Sequence, residues 1–400
     1  MNKTLYRTLI SLLFMLLISA CGGSGTTAGG DSGGDSGGDS GGDSGGDSGG
    51  DSGGDSGGDA DDDLTRELRA LVSHLEPSRL RERSLPVHSD PLAVLGRELF
   101  FSKSLSINGD VACASCHDPR LAGTDQLSLP VGVGAHEEDV IGPGRRHDGN
   151  YYLDPKANGG PNVGRNSPTT FNIAFYDVAM FWDGRVESVE FDGSGYRRVA
   201  IASDNGAGTQ IRTPDSQFKG PDPDAGSNLT AAQARFPVTS TEEMKGFSSE
   251  AAESRYGIRR AVADKVRSYP QWEQKFRDAF DDYVSSADTL VSYDNIALAL
   301  AEYQRSQIAV DNPFFRFLEG NDSALTAEQK RGAVTFFKPV GLGGGGCNRC
   351  HTGEHFSDEE YYAFATPQVG RGKNVAQKDF GRYNVTRTRS DLHRFRTPSL

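Results

Sequence analysis

Cys113-Ala114-Ser115-Cys116-His117 recurs, with its middle pair changed, as Cys347-Asn348-Arg349-Cys350-His351. C-x-x-C-H is the pattern through which a polypeptide attaches haem covalently. Two thiols three positions apart on one turn can reach the two vinyl groups along one porphyrin edge. The next residue then sets an imidazole on the iron. Iron held by one His keeps a sixth position that the protein can fill or leave open, and that choice separates an electron carrier from a catalyst. Two other readings compete. A zinc ribbon wants its C-x-x-C pairs about 15–20 residues apart, whereas 230 residues lie between Cys116 and Cys347. A redox dithiol needs no trailing His, least of all twice. Of the five cysteines, four sit in these motifs and the fifth is Cys21, so no pair is left for a structural disulfide.

The N-terminus reads as a targeting segment. Lys3 and Arg7 precede an apolar run from Leu9 to Ile18, which is short for a bilayer span. Ile18-Ser19-Ala20-Cys21 has the form of a bacterial lipobox, so residues 1–20 are expected to be a lipoprotein signal peptide and Cys21 the lipid-carrying first residue of the mature chain. An ordinary secretory peptide with an incidental Cys is the alternative. Either exports the protein, to the periplasm or the cell surface, where c-type haem is attached. Residues 21–63 are expected to be a disordered tether. Asp-Ser-Gly-Gly runs seven times from Asp31 to Gly58 and has no apolar side chain to bury. A calcium-binding repeat would need a large apolar residue in each unit. Eleven Asp between 31 and 63 explain most of the formal charge of −13. Setting them aside with Lys3 and Arg7 leaves 40 basic and 44 acidic residues, a net of −4 with no basic excess for nucleic acid.

From Leu64 onward the clear periodicity is helical. Ser89-Asp90-Pro91 opens a helix with Pro at its first position, and Leu92, Leu95 and Leu99 line one face. Ile258, Val262, Val266 and Tyr269 form a second stripe, broken at Pro270 and resumed by Trp272, Phe276 and Phe280. Ile296, Leu300 and Tyr303 mark a third helix. Thr326-Ala327-Glu328-Gln329 is a capping box before Val334 and Phe337. No strand-period run of comparable length is present. Residues 130–168 and 192–237 read as long loops, of the kind that is functional or disordered. The expected fold is mainly α.

Further motifs resemble the bacterial di-haem cytochrome c peroxidase and MauG-like family. Gly96-Arg97-Glu98-Leu99-Phe100-Phe101, Leu105-Ser106 and the first C-x-x-C-H match its opening. Ala122-Gly123-Thr124-Asp125, Arg165-Asn166-Ser167-Pro168-Thr169 and Phe181-Trp182-Asp183-Gly184-Arg185 follow in family order. Pro237 with Glu243-Met244 comes next, then Gly320, Leu325 and the second C-x-x-C-H. Asp379-Phe380-Gly381-Arg382 and Arg396-Thr397-Pro398-Ser399-Leu400 complete the series. The resemblance implies two cytochrome c-like haem domains, 64–311 and 312–400, with His117 and His351 as proximal iron ligands. The N-terminal haem would react with hydrogen peroxide. The C-terminal haem would take electrons from a small cytochrome c or copper protein, and Trp182 would lie between them. Asn166 matches a residue that helps hold a calcium ion, for which an amide oxygen is a suitable hard ligand. Glu243 is the candidate acid–base group, since peroxide cleavage needs a proton moved between its oxygens. Ser240-x-x-Glu243 is also a capping box, and the two roles are compatible.

The departures carry their own expectations. A His that caps the N-terminal haem in such peroxidases falls near Val133 here, and Val cannot ligate iron. His136 and His147, inside an insertion, read as surface loop residues, so the first haem is expected to keep an open sixth position. In the family, helices follow the last motif, and one supplies Met or Tyr to the C-terminal haem. The second domain is therefore expected to continue past Leu400. No Met follows Met244, and Tyr361, Tyr362 and Tyr383 fall in loop-like sequence. His355 is close enough to His351 to share its side, and His393 is the remaining imidazole. The rival functions are a MauG-like enzyme that oxidises a partner protein and a surface electron-transfer cytochrome. A homodimer is compatible with all of them.

Overall fold

The computed structural model of the chain describes residues 57–76, 82–155, 157–191, 195–199, 203–217, 220–248, 254–364, 368–370 and 378–400. Cys21, the signal segment and the Asp-Ser-Gly-Gly repeats as far as residue 56 lie outside the described residues. Helix α1 (Gly57–Val72) begins inside the stretch expected to be tether. Its sequence alternates acid and leucine at helical spacing, so one face is apolar. Leu68, Val72 and Leu75 are buried in one core with Phe317, Leu325, Val334 and Phe337. The polar flanks are paired as well: Asp61 with Lys330 at 2.8 Å, Glu67 with Lys338 at 2.7 Å and Arg69 with Asp322 at 2.6 Å. This N-terminal helix packs on sequence beyond residue 312, so the packing does not divide at one point of the chain.

Helix α2 (Pro91–Phe100) starts with Pro as expected, although Asp90 does not cap it. The Asp90 carboxylate instead accepts the Val87 N–H at 2.9 Å. A small antiparallel sheet then interrupts the helical pattern. It comprises β1 (Ala179–Met180), β2 (Val186–Phe191), β3 (Tyr196–Arg198) and β4 (Gln210–Arg212), with β2 pairing all three others. No strand was expected here. The reason is that β2 buries both faces: Glu187 and Ser188 are as inaccessible as Val186, so the alternation that marks a half-buried strand is missing. Glu187 tolerates burial because Arg212, at 3.1 Å, and Arg382 both bind its carboxylate.

The segment expected as a second long loop also holds α3 (Leu229–Ala234), capped by the Asn228 side chain on the Ala231 N–H at 2.9 Å. Helices α4 (Arg255–Arg267), α5 (Pro270–Phe280), α6 (Ala287–Leu290) and α7 (Tyr293–Arg305) follow. Ile258, Val262, Val266, Trp272, Phe276, Ile296, Leu300 and Tyr303 are buried as their spacing requires, while Tyr269 turns outward. Helices α2 and α7 cross so closely that a Cβ on Gly96 would run into the Ala299 carbonyl, and only glycine fits there. Leu95, Leu99, Val262, Phe276 and Leu300 share one core with Val133 and Met244, each such burial being worth about 1.5–3 kcal/mol. Helix α8 (Pro313–Leu318) and α9 (Ala327–Phe337) lead to the second motif. Thr326 and Gln329 form the expected capping box. Tyr361 and Tyr362, expected in a loop, form β5 (Tyr361–Tyr362), and Tyr383 opens α10 (Tyr383–Thr386). Strand β6 (Phe395–Arg396) pairs with β5. Among the described residues no helix is long and apolar enough to cross a membrane.

Candidate haem sites

Both C-x-x-C-H motifs fold into the same tight turn. The His117 N–H donates to the Cys113 carbonyl at 3.0 Å, and the His351 N–H to the Cys347 carbonyl at 3.0 Å. Each imidazole is then fixed by a second contact. His117 Nδ1 lies 3.0 Å from the Gly123 carbonyl, and His351 Nδ1 lies 3.0 Å from the Phe356 carbonyl. A ring whose Nδ1 donates to a carbonyl has Nε2 left as its lone-pair donor, which is the arrangement of a metal-binding histidine. Burial keeps the His117 imidazole below its usual pKa, in the neutral form that ligates. Cys113, Cys116, Cys347 and Cys350 form no disulfide. Burial pushes Cys113 and Cys116 up to about 12, with the Glu243 carboxylate adding to the effect at both.

A cleft of about 1110 Å³, its open mouth included, lies over the first turn. Phe100, Val111, Val163, Ile173, Val238 and Leu300 supply apolar walls, and Arg165 and Arg185 supply two guanidinium groups. An apolar slot edged by cations suits a flat group with two acidic arms. A second cleft of about 740 Å³ lies over the second turn, lined by Cys350, His351, Tyr362, Phe364 and Phe395. Arg165, Asn166 and Trp182 line both clefts. The Trp182 indole Nε1–H donates to the Asn166 carbonyl at 3.0 Å, and the Trp182 carbonyl accepts the Arg396 N–H at 2.9 Å. The Asn166 side chain is exposed. Among the described residues no three His, Cys, Asp or Glu side chains gather as a metal cluster.

Two of these observations together, twin C-x-x-C-H turns with oriented imidazoles and one Trp in the wall of both clefts, agree with the comparisons. Residues 90–323 match the family model described as di-haem cytochrome c peroxidase. The chain belongs to the di-haem cytochrome c peroxidase family. It is 27% identical over 325 residues to cytochrome c551 peroxidase of Pseudomonas aeruginosa, covering 81% of this chain and 68% of that protein. It is 27% identical over 309 residues to the methylamine utilization protein MauG of Methylorubrum extorquens, covering 76% of this chain and 60% of that one. The crystal structure of a MauG-like protein associated with microbial copper homeostasis aligns with a TM-score of 0.50 at 18% identity, over 79% of this chain and 72% of that one. At that identity the likeness concerns the fold. As a member of this family the protein is a peroxidase-type oxidoreductase with two c-type haems, and the geometry of both turns fits them.

The wall of the first cleft carries polar side chains. Glu243 sits on a π-helical turn, Thr241–Lys245, and lines the cleft with Pro237 and Gln233. Ser240 makes no side-chain cap on this turn, so the expected capping box is not formed. The turn is wound wider than an α-helix, with the Lys245 N–H reaching the Ser240 carbonyl at 2.9 Å, which takes the turn out of capping register. Such π turns occur often at functional sites. Gln233 is an ordinary helix residue of α3 with no sequence motif of its own.

Val133 is fully buried in the main core. His136 is exposed. His147 is not a surface residue: it is buried, with Nε2 3.0 Å from Asp154, and lines neither cleft. Its insertion folds inward, because the neighbouring Arg145 is buried and donates to the carbonyls of Val131, Gly132, Glu138 and Val140. In the second half of the chain His355 packs edge-on to Tyr176, and burial holds its imidazole at about 3. His393 Nδ1 meets the Asp379 carbonyl at 3.2 Å. Neither lines the second cleft.

Proposed function

We propose that the protein reduces hydrogen peroxide to water with two electrons from a small external redox donor. Cys113, Cys116 and His117 hold the peroxide-reacting haem, and Cys347, Cys350 and His351 hold the electron-accepting one, in two cytochrome c-like halves. When bound, the haems supply redox-active iron. The chain supplies the rest. The Glu243 carboxylate takes a proton from the near peroxide oxygen and returns it to the departing one, so that water leaves. The Gln233 amide offers a hydrogen bond that orients the peroxide. Trp182, in the wall of both clefts, would give the electron a polarisable path between the haems. Asn166 offers its amide oxygen to a calcium ion. A lipid on Cys21 and the Gly/Ser/Asp segment after it tether the body to the outer face of a bacterial membrane.

The observation that carries this reading is the wall opposite the first turn. It contains a carboxylate on a π turn and no imidazole besides His117 among the described lining residues. A pure carrier would want a strong sixth ligand there. Met244 also lines the cleft and is buried in the core with Val133, Val238 and Leu300. The test is peroxide-dependent oxidation of a reduced small cytochrome c or copper protein by the haem-loaded protein. Two donor molecules oxidised per peroxide support the reading. Peroxide use that requires a protein substrate points to the MauG-like alternative. Low-spin ferric haem alone, with no turnover, points to a carrier.

A further inference from the structure

We propose that a third cleft, polar and open to solvent, is the entry route by which hydrogen peroxide reaches Glu243. The inference rests on the peroxidase reading above and adds the path of the substrate. The cleft measures about 1040 Å³ with its mouth included. Its own walls include Asn162, Asp183, Thr239, Ser240, Arg255 and Asn384. It meets the first haem cleft at three side chains that line both: Val163, Arg185 and Glu243. Glu243 therefore stands at a junction, with an apolar slot on one side and a solvent-open passage on the other.

The chemistry of the walls suits hydrogen peroxide. The molecule donates and accepts hydrogen bonds at both ends, and moving it through an apolar passage would strip those bonds at a cost of a few kcal/mol. The third cleft offers amide, hydroxyl, carboxylate and guanidinium groups along its length instead. The posts at the junction are fixed. Arg185 donates to both Asp183 carboxylate oxygens, at 3.1 and 3.2 Å, and lies 3.5 Å over the Phe181 ring. The Glu243 turn is backed by the segment Val131–Gly134. The Val133 N–H donates to the Glu242 carbonyl at 3.1 Å, and a Cβ on Gly132 would run into that same carbonyl. Val163, Pro214 and Phe236 add apolar surface to the same cleft, so the route rests on its polar groups and on its junction with the haem cleft at Glu243.

Ser240 allows a direct test, because it lines the third cleft but not the haem cleft and makes no side-chain cap. Ser240→Phe adds bulk on the passage side alone. Asn384→Phe adds it from α10 on another wall. In the haem-loaded protein, stopped-flow mixing with hydrogen peroxide or cyanide reads the second-order rate at the first haem from its Soret change. Each variant is expected to slow both ligands by about tenfold or more, with an unchanged resting ferric spectrum. Val284→Phe, at a 95%-exposed position lining none of these clefts, should leave both rates alone. Wild-type rates in spectrally normal Ser240→Phe and Asn384→Phe would overturn the route. If both variants fail to load haem, Thr239→Phe, which also lines the third cleft and not the haem cleft, decides: wild-type rates in that variant would overturn the route. Wild-type protein inert to every peroxide would instead remove the peroxidase reading itself.

Discussion

Removing the Glu243 charge while keeping its shape isolates its proton chemistry. Glu243→Gln should retain both haem spectra and lose on the order of 10²–10⁴ in turnover. Near-wild-type turnover would leave the carboxylate without a chemical role, since the turn it occupies is not capped through Ser240. The neighbouring sulfur gives a second, independent prediction. If Met244 only packs, Met244→Leu should keep a high-spin ferric signal at the first haem and lower stability by less than about 1.5 kcal/mol, the usual cost of a volume-conserving swap. A variant that converts low-spin iron to high-spin would make Met244 the sixth ligand. At this scale the two Cys-x-x-Cys-His turns were legible because C-x-x-C-H is a local pattern with one dominant use. Gln233 and the inward side of His147 were not, because each depends on what a distant segment places beside it.

The segment Val131–Gly134 is held almost entirely by side chains from elsewhere. Arg145 donates to the Val131 and Gly132 carbonyls at 2.8 and 3.0 Å. Asn162 donates to the Val133 carbonyl at 2.8 Å and accepts the Gly132 N–H at 3.1 Å. Arg145→Ala would leave buried carbonyls without donors, at a cost of about 3 kcal/mol. Because the same segment backs the Glu243 turn, the variant should also lower kcat more than its stability loss explains. Arg145→Lys, which can satisfy part of the set, should recover part of both. Urea unfolding and steady-state kinetics on the two variants check this, and equal kcat in all three proteins would limit Arg145 to stability. Helix α1 makes the matching prediction in the other half of the chain. Leu68 is fully buried against α9, so Leu68→Ala should cost about 2–5 kcal/mol, measured by urea unfolding of the haem-loaded protein. A change under 0.5 kcal/mol would mean that α1 is dispensable.

The helices of the body were readable because each buries one stripe of apolar residues against a neighbour. The sheet was hidden by Glu187, whose burial depends on Arg212 and on Arg382, 195 residues later in the chain. The start of α1 was hidden by its composition. Gly57-Gly58 and the acidic run after them look like more tether until Lys330 is placed opposite Asp61.

At the scale of the whole molecule, the two haem clefts are joined by one wall, and Arg165, Asn166 and Trp182 belong to both. The sequence announced two haem sites through its two motifs. It could not announce the shared wall except by likeness, since the residues come from positions 165–182 and the second motif begins at 347. On the proposed function, peroxide reduction at the first cleft would consume two electrons, and a donor that delivers them at the second would depend on this wall. The indole Nε1–H is held by the Asn166 carbonyl at 3.0 Å, and the Trp182 backbone carbonyl accepts the Arg396 N–H at 2.9 Å. Trp182→Phe keeps an aromatic ring in the wall and loses the indole with its hydrogen bond. If Trp182 carries electrons, the variant should bind peroxide at the first haem as fast as the parent protein. Donor-supported turnover should then fall, because the second haem no longer refills the first efficiently. A purely structural role would move the haem spectra and the peroxide-binding rate along with turnover. Stopped-flow binding and steady-state donor oxidation on the same preparation separate the two, and unchanged turnover would assign the inter-haem path to Arg165, Asn166 or the backbone between them.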